Sequence, residues 1–171
     1  MPAGSTYTPI ATTTTNGSTN SYTFTSIPNT YTDLVLIINA AVTSSTDNTR
    51  IRVGNGSIDS GSNYSNTRLN GNGSTASSQQ FSNETRMPVD SSSAYMGSTF
   101  GQVIRVNFMN YANTTTYKTV ISRADNANYG VSAQVNLWRS TNAINQIQVY
   151  SEASTNFASG STFTLYGIAS A

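Results

Sequence analysis

Val103-Ile104-Arg105-Val106-Asn107-Phe108 alternates apolar and polar residues and is the clearest indication of fold class in the sequence. Successive side chains of a β-strand point to opposite faces, so apolar and polar residues that alternate mark one buried and one wet side. We expect Ile104, Val106 and Phe108 to point into a core. Arg105 and Asn107 then point outward. This alternation predicts a strand with one face on the core and the other in solvent, as is common in antiparallel sheets.

Similar short runs recur along the chain, separated by turn-forming residues at the spacing of a sandwich. The predicted strands are 21–27, 33–42, 49–53, 64–69, 76–84, 102–109, 116–123, 131–138, 144–150 and 162–168. Residues 54–73 contain three turn signals rich in Gly and Asn, which tolerate positive φ. No segment shows helical spacing of apolar residues. We therefore predict an all-β, single-domain, two-sheet antiparallel β-sandwich of residues 21–171.

Two parts of this prediction leave alternatives open. Residues 1–20 have little to bury, and they form either a loose N-terminal arm or an edge strand that docks on a neighbour. Leu34-Val35-Leu36-Ile37-Ile38 is apolar at every position. That run is typical of a central strand covered on both faces, or of a strand whose outer face meets a partner.

The composition excludes several classes of function. The chain has 171 residues, with 26 Ser, 26 Thr and 20 Asn, a net charge of +1 and no Cys. Without a basic block, no nucleic-acid or anionic-membrane partner is expected. Without Cys, neither disulfides nor thiol chemistry are available. No secretion signal or membrane-spanning apolar stretch is visible, so folding in the cytoplasm is expected.

Catalytic groups are scarce. The chain lacks His, so neither a Ser-His nor a Cys-His nucleophile pair can form. A carboxylate pair of the glycosidase kind is the remaining scheme, and it needs two acids at a defined distance. The seven acids are dispersed along the chain: Asp33, Asp47, Asp59, Glu84, Asp90, Asp125 and Glu152. We expect no enzyme and no cofactor.

Two loops carry side chains that could bind a cation. Asp59-Ser60-Gly61-Ser62-Asn63 gathers oxygen-bearing side chains, as a calcium loop does, but its third position is Gly and no downstream Glu follows. A turn capped by the Asp side chain explains the same residues. Asp125-Asn126-Ala127-Asn128-Tyr129-Gly130 has the pattern of a hairpin turn. No metal site is predicted, and whether Asp59, Asn63 or Asp125 binds a cation stays open.

Binding residues are predicted where aromatic side chains neighbour amides. Tyr111 with Asn113, and Tyr129 beside Asn128, could stack on sugar rings or contribute to a protein interface. Each Tyr could equally fill a sandwich edge with its hydroxyl in water. Trp138 with Arg139 is the strongest candidate for a surface anchor, although a core Trp is the favoured alternative.

Several stretches in order along the chain carry a family resemblance. They include Tyr7-Thr8-Pro9-Ile10-Ala11, residues 24–34, Asn63-Tyr64-Ser65, Asn110-Tyr111-Ala112-Asn113, Tyr117-Lys118, Trp138-Arg139-Ser140 and residues 160–168. In these the chain resembles small virion proteins of tailed bacteriophages, especially marine and cyanobacterial ones. The resemblance implies a jelly-roll-like sandwich on the capsid exterior or in tail fibres. It implies no catalytic residue.

The physical features favour one of these two locations. A receptor-binding fibre normally carries heptads or repeats in a trimeric shaft, and the sequence has neither. A capsid decoration or cement protein needs one compact domain with an adhesive face. We therefore expect a virion protein, assembled in the host cytoplasm as a homo-oligomer, either trimer or dimer. Its expected partners are the major capsid protein or other virion proteins. The alternative is a tail fibre or adsorption protein that binds host surface glycans.

Overall fold

The computed structural model describes residues 6–169, which contain fifteen β-strands and no helix. The strands are β1 (Tyr7–Thr14), β2 (Ser21–Phe24), β3 (Asp33–Ala40), β4 (Thr46–Asp47), β5 (Thr49–Asn55), β6 (Ser57–Ile58), β7 (Tyr64–Gly71), β8 (Ala76–Glu84), β9 (Met87–Pro88), β10 (Met96–Gly97), β11 (Gln102–Phe108), β12 (Lys118–Asn126), β13 (Gly130–Trp138), β14 (Gln146–Ser151) and β15 (Thr162–Ile168). The predicted all-β fold class is confirmed.

The strands form two main sheets and one small ribbon. The larger sheet has eight strands in the order β1-β15-β3-β11-β12-β13-β7-β8, and every pair in it is antiparallel. The second sheet has the order β2-β14-β5-β6, with β9 also paired to β5. β4 and β10 pair with each other. This arrangement is a β-sandwich, and its jelly-roll-like connectivity stays a prediction.

The core contains residues from both sheets in one cluster. Ile104, Val106 and Phe108 of β11 are fully buried, whereas Arg105 is exposed and Asn107 half-buried. The predicted orientation of this strand is therefore confirmed. Further members of the cluster come from β3, β5, β14 and β15: Leu34, Leu36, Ile38, Ile51, Val53, Ile147, Val149, Phe163 and Leu165.

β3 lies between β15 and β11, so its prediction as a central strand is confirmed. Its outer side is shielded only in part. Val35 is 1% exposed and lies in register with Tyr166 and Asn107, while Ile37 is half-buried. Long side chains on neighbouring strands cover this face near Val35.

The N-terminal segment belongs to the larger sheet. Residues 7–14 form β1, which pairs with β15 along its length and lies at one edge. Residues 1–5, also in the predicted segment 1–20, and residues 170 and 171 lie outside the described residues. Residues 7–14 therefore match the edge-strand alternative for residues 1–20. The strand with which they pair, β15, belongs to the same chain.

β13 faces the core with polar side chains. Ser132, Gln134 and Asn136 are buried, while Val131 and Val135 on the other side are about half exposed. Two of the inner side chains, Gln134 and Asn136, bind residues 87–95, the segment that begins with β9. The Gln134 amide donates to the Asp90 carbonyl at 2.7 Å, and the Asn136 amide donates to the Pro88 carbonyl at 3.1 Å. These amides supply the hydrogen bonds that a neighbouring strand would otherwise give.

Candidate binding surfaces

One end of the sandwich carries a polar groove of about 520 Å³. The antiparallel register brings the C-terminal end of β13 to the N-terminal ends of β7 and β12, so the flanking loops meet there. The side chains lining the groove offer both hydrogen-bond donors and acceptors. They include Asn55, Asp59, Asn63, Trp138, Arg139 and Asn142.

Asp59 organises this groove. Its carboxylate accepts hydrogen bonds from Trp138 Nε1 at 2.8 Å, from the Gly61 backbone N–H at 2.8 Å, and from Asn63 Nδ2 at 2.9 Å. Burial raises the pKa of Asp59, but these bonds outweigh burial and leave the pKa below its usual value. The carboxyl is thus ionised at neutral pH.

The bond from Gly61 to Asp59 spans two residues and forms an Asx turn. The capped-turn alternative for residues 59–63 is therefore correct. Within residues 6–169, no group of three or more His, Cys, Asp or Glu side chains is placed to hold a metal ion.

Trp138 is a core residue, and its prediction as a surface anchor is wrong. It is 2% exposed and lies on the inner side of β13, in line with Gln134 and Asn136. Its ring packs in the hydrophobic cluster while its indole N–H reaches Asp59. The tryptophan thereby links the core to the groove without presenting a face to a ligand.

Arg139 follows Trp138 and remains partly exposed at the groove. Its guanidinium donates to the Ser62 carbonyl at 2.5 Å and to Asn83 Oδ1 at 3.1 Å. Arg139 therefore ties the loop before β7 to the end of β8. Its role at an interface or glycan site stays a prediction.

Tyr111 cannot bind a ligand with its ring, because the residue is fully buried. Its hydroxyl donates to the Pro28 carbonyl. Asn113 caps the turn that follows, since its side-chain oxygen accepts from the backbone N–H groups of Thr115 at 2.6 Å and Thr116 at 2.9 Å. The predicted stacking role of Tyr111 is wrong, and that of Asn113 in an interface is untested.

Tyr129 lies at the opposite end of the sandwich. It precedes the nine-residue strand β13 that ends at Trp138, which places the two residues roughly 30 Å apart. Its ring packs against Tyr95 and Phe100, with centroids 4.0 and 5.0 Å away. A hydrogen bond with Tyr129 raises the pKa of Tyr95. The five predicted residues Tyr111, Asn113, Tyr129, Trp138 and Arg139 therefore do not form one site.

A chain of ion pairs joins β5 to residues on both sides of β9. Arg50 pairs with Asp90 at 2.8 Å and with Glu152 at 2.5 Å, and Glu152 also pairs with Arg86 at 2.6 Å. Burial raises the pKa of Asp90 to about 7, although Arg50 and the Thr49 N–H oppose the rise. Asp90 is fully buried, so this carboxyl is closed to a substrate. The ion pairs anchor the segment that β13 also holds.

The outer side of the larger sheet carries a patch that the sequence did not identify. We call it the outward apolar patch, and it lies on β7, β12 and β13. Leu69 is 62% exposed, Ile121, Val131 and Val135 are close to half exposed, and Leu137 is partly buried. The patch consists of Leu69, Ile121, Val131, Ala133, Val135 and Leu137.

Two charged residues of β12 adjoin the patch: Arg123 and Asp125 lie in register with Ala133 and Val131 and pair with each other at 3.0 Å. A shallow depression of about 310 Å³ within the patch is lined by Leu69, Val131 and Ala133 together with Arg123. An apolar centre with a polar border is the usual anatomy of a protein interface.

Comparison with known proteins adds no relative: no protein-family model and no curated protein matches this sequence. Among residues 6–169, no helix is long and apolar enough to cross a membrane.

Proposed function

We propose that this chain is a structural protein of a phage virion, which binds the outer capsid surface as an oligomer through the outward apolar patch. The proposal depends mainly on strand β13, which buries polar side chains and exposes apolar ones. This strand buries Ser132, Gln134 and Asn136 and leaves Val131 and Val135 about half exposed. Exposed apolar surface of this extent commonly marks a site of protein contact.

β13 cannot bury these valines by turning over. Its inner amides hold the Pro88 and Asp90 carbonyls, and its last residue, Trp138, fills the core. A shift of one residue would exchange the two faces and leave those carbonyls without donors. The outward patch is thus a fixed property of the fold, and a partner surface is the remaining way to cover it.

The virion assignment is supported by the family resemblance and by the surface chemistry. Only 9% of residues are charged, and Ser, Thr and Asn replace long charged side chains. Short side chains lose little conformational entropy when a surface is covered. Such a surface suits a domain that packs on a repeating protein shell.

The decisive experiment measures binding to particles that lack this protein. The variant Val135→Asp places a charge in the centre of the patch, and Thr14→Asp places one on the exposed edge strand β1 as the matched control. We expect Val135→Asp to lose co-sedimentation with the particles while Thr14→Asp keeps it. Cryo-microscopy of the parent particle should show many copies on the shell. Equal binding of both variants, or density only at the tail tip, would contradict the proposal.

The polar groove favours a second candidate, a tail or adsorption protein that binds host surface glycans. Asn142 offers an exposed amide, and Ser57 and Ser60 offer exposed hydroxyls, around a space of about 520 Å³. Sugar hydroxyls need such paired donors and acceptors. On a glycan array, Asn142→Ala should weaken retention while Val135→Asp leaves it unchanged. Absence of any retention by the unmodified chain would remove this candidate.

A further inference from the structure

The two edges of the eight-stranded sheet differ in how they are protected. At one edge, β1 contains Pro9, and its pairing with β15 has a bulge between Pro9 and Ala11. At the other edge, β8 runs for nine residues and, among residues 6–169, pairs only with β7. Seven of its nine residues are exposed, and between Ala76 and Phe81 its register with β7 is regular.

An unprotected edge strand invites another strand. Its outer row of N–H and C=O groups has no partner within the sheet, and native proteins usually block such an edge with Pro, Lys or a bulge. The β1 edge has two of these devices. From Ala76 to Phe81, β8 has none of them, so its backbone is free to pair with an added strand.

We infer that β8 pairs antiparallel with β8 of a second copy of this chain. In a pair related by a two-fold axis, each side chain lies near its own equivalent or near one a few residues away. A charged residue near the axis would therefore meet a like charge. Residues 76–83 carry no charge, and Glu84 comes only at the strand's end. The net charge of +1 adds little repulsion between copies.

The pairing would also place the outward apolar patches side by side. Paired side chains in an antiparallel sheet lie on the same face, so the two-fold axis stands normal to the sheet. Both patches then face one way. This inference deepens the proposed function and rests on it for its purpose, because two patches on one rigid body would bind a repeating shell with added avidity.

A cysteine scan tests the pairing directly, since the chain has no Cys of its own. Each residue from 76 to 81 is replaced by Cys in turn, and Thr14→Cys on the β1 edge serves as the control. Two Cys form a disulfide only when their Cα atoms lie within about 7 Å. We expect oxidation to give covalent dimers with a yield that peaks at one or two neighbouring positions of β8. A flat yield along β8, or an equal yield at residue 14, would overturn the inference.

Sedimentation then separates the pairing from the proposed function. A single strand pair is small beside a standard interface, so the unmodified chain should dimerise in a concentration-dependent way. Ser78→Lys should raise the dimer dissociation constant at least about tenfold, since like charges then meet across the axis. Thr14→Lys should not change it. A chain that stays monomeric yet binds particles through Val135 would overturn this inference alone. A dimer whose particle binding ignores Val135→Asp would overturn only the proposed function.

Discussion

Strands β11 and β13 flank β12 in the same sheet, yet they face the core with opposite chemistry. β11 buries Ile104, Val106 and Phe108, whereas β13 buries Ser132, Gln134 and Asn136. The difference follows from what each strand holds. Both strands are paired on both sides, but the inner face of β11 packs in the apolar cluster. β13 faces residues 87–95, whose carbonyls need donors. The need to supply hydrogen bonds to buried backbone carbonyls therefore explains why this half of the core is polar.

The largest loss of stability is expected from a substitution in the apolar half of the core. Phe108→Ala removes a fully buried ring from β11 and should lower the free energy of unfolding by about 3–5 kcal/mol, because a cavity remains. Val103→Ala on the exposed side of the same strand is the control and should cost no more than about 0.5 kcal/mol. Urea unfolding measures both. Similar losses for the two variants would show that β11 is not oriented as described.

A smaller effect is expected from the polar half. Asn136→Ala removes the donor to the buried Pro88 carbonyl and should cost about 1–3 kcal/mol. Asn136→Leu should not restore stability, since the carbonyl would still lack a donor. The exposed Asn142→Ala is the control, expected within about 0.5 kcal/mol of the unmodified chain. A stable Asn136→Leu protein would mean that this half of the core tolerates an apolar β13.

The buried carboxyl in the same half makes stability depend on pH. The pKa of Asp90 is raised to about 7 in the fold, against about 3.9 in an unfolded chain. Between these values the folded chain holds a proton that the unfolded chain releases. Stability from this group is thus complete below about pH 4 and is lost as the pH rises through 7, by at most about 1.4 kcal/mol per unit.

Asp90→Asn isolates this contribution, because Asn does not titrate. The stability of the unmodified chain relative to Asp90→Asn should increase as the pH falls from 7 to 5. Glu152 acts outside this window: burial raises its pKa, but Arg50 and Arg86 outweigh burial and leave it lowered. Denaturant melts at several pH values measure the difference. Parallel stability curves for the two proteins would contradict a raised pKa at Asp90.

The smallest effect on stability is expected at the outward apolar patch. Val135→Ser changes a residue that is 46% exposed and should alter the free energy of unfolding by no more than about 0.5 kcal/mol. Val106→Ser, on the buried side of β11, is the comparison and should be far more destabilising because it buries a hydroxyl and leaves a cavity. A large loss at Val135 would show that this side chain is buried within the isolated chain.

The strands themselves were largely predictable. The predicted ranges 76–84 and 162–168 coincide with β8 and β15, and the range 102–109 exceeds β11 by one residue. Their alternation and turn residues are local signals. The two-residue strands β4, β6, β9 and β10 were missed, because a pair of residues has no period to detect.

The candidate binding surfaces were less predictable. Tyr111 and Trp138 are candidates for binding residues by type, yet both are buried. An aromatic residue with a polar tip fits either a core or an interface, and its type alone does not choose. The outward apolar patch had a signal in the alternation of residues 131–137, but alternation shows that a strand has two unlike faces without saying which one is inside.

Residue types and local periodicity were enough to predict the fold class, most of the longer strands and the lack of His and Cys chemistry. The orientation of β13 and the exposed edge at β8 depend on the tertiary fold. β13 must supply donors to residues 87–95, which are distant in sequence. Which strand is left at an edge likewise follows from the pairing of the whole sheet.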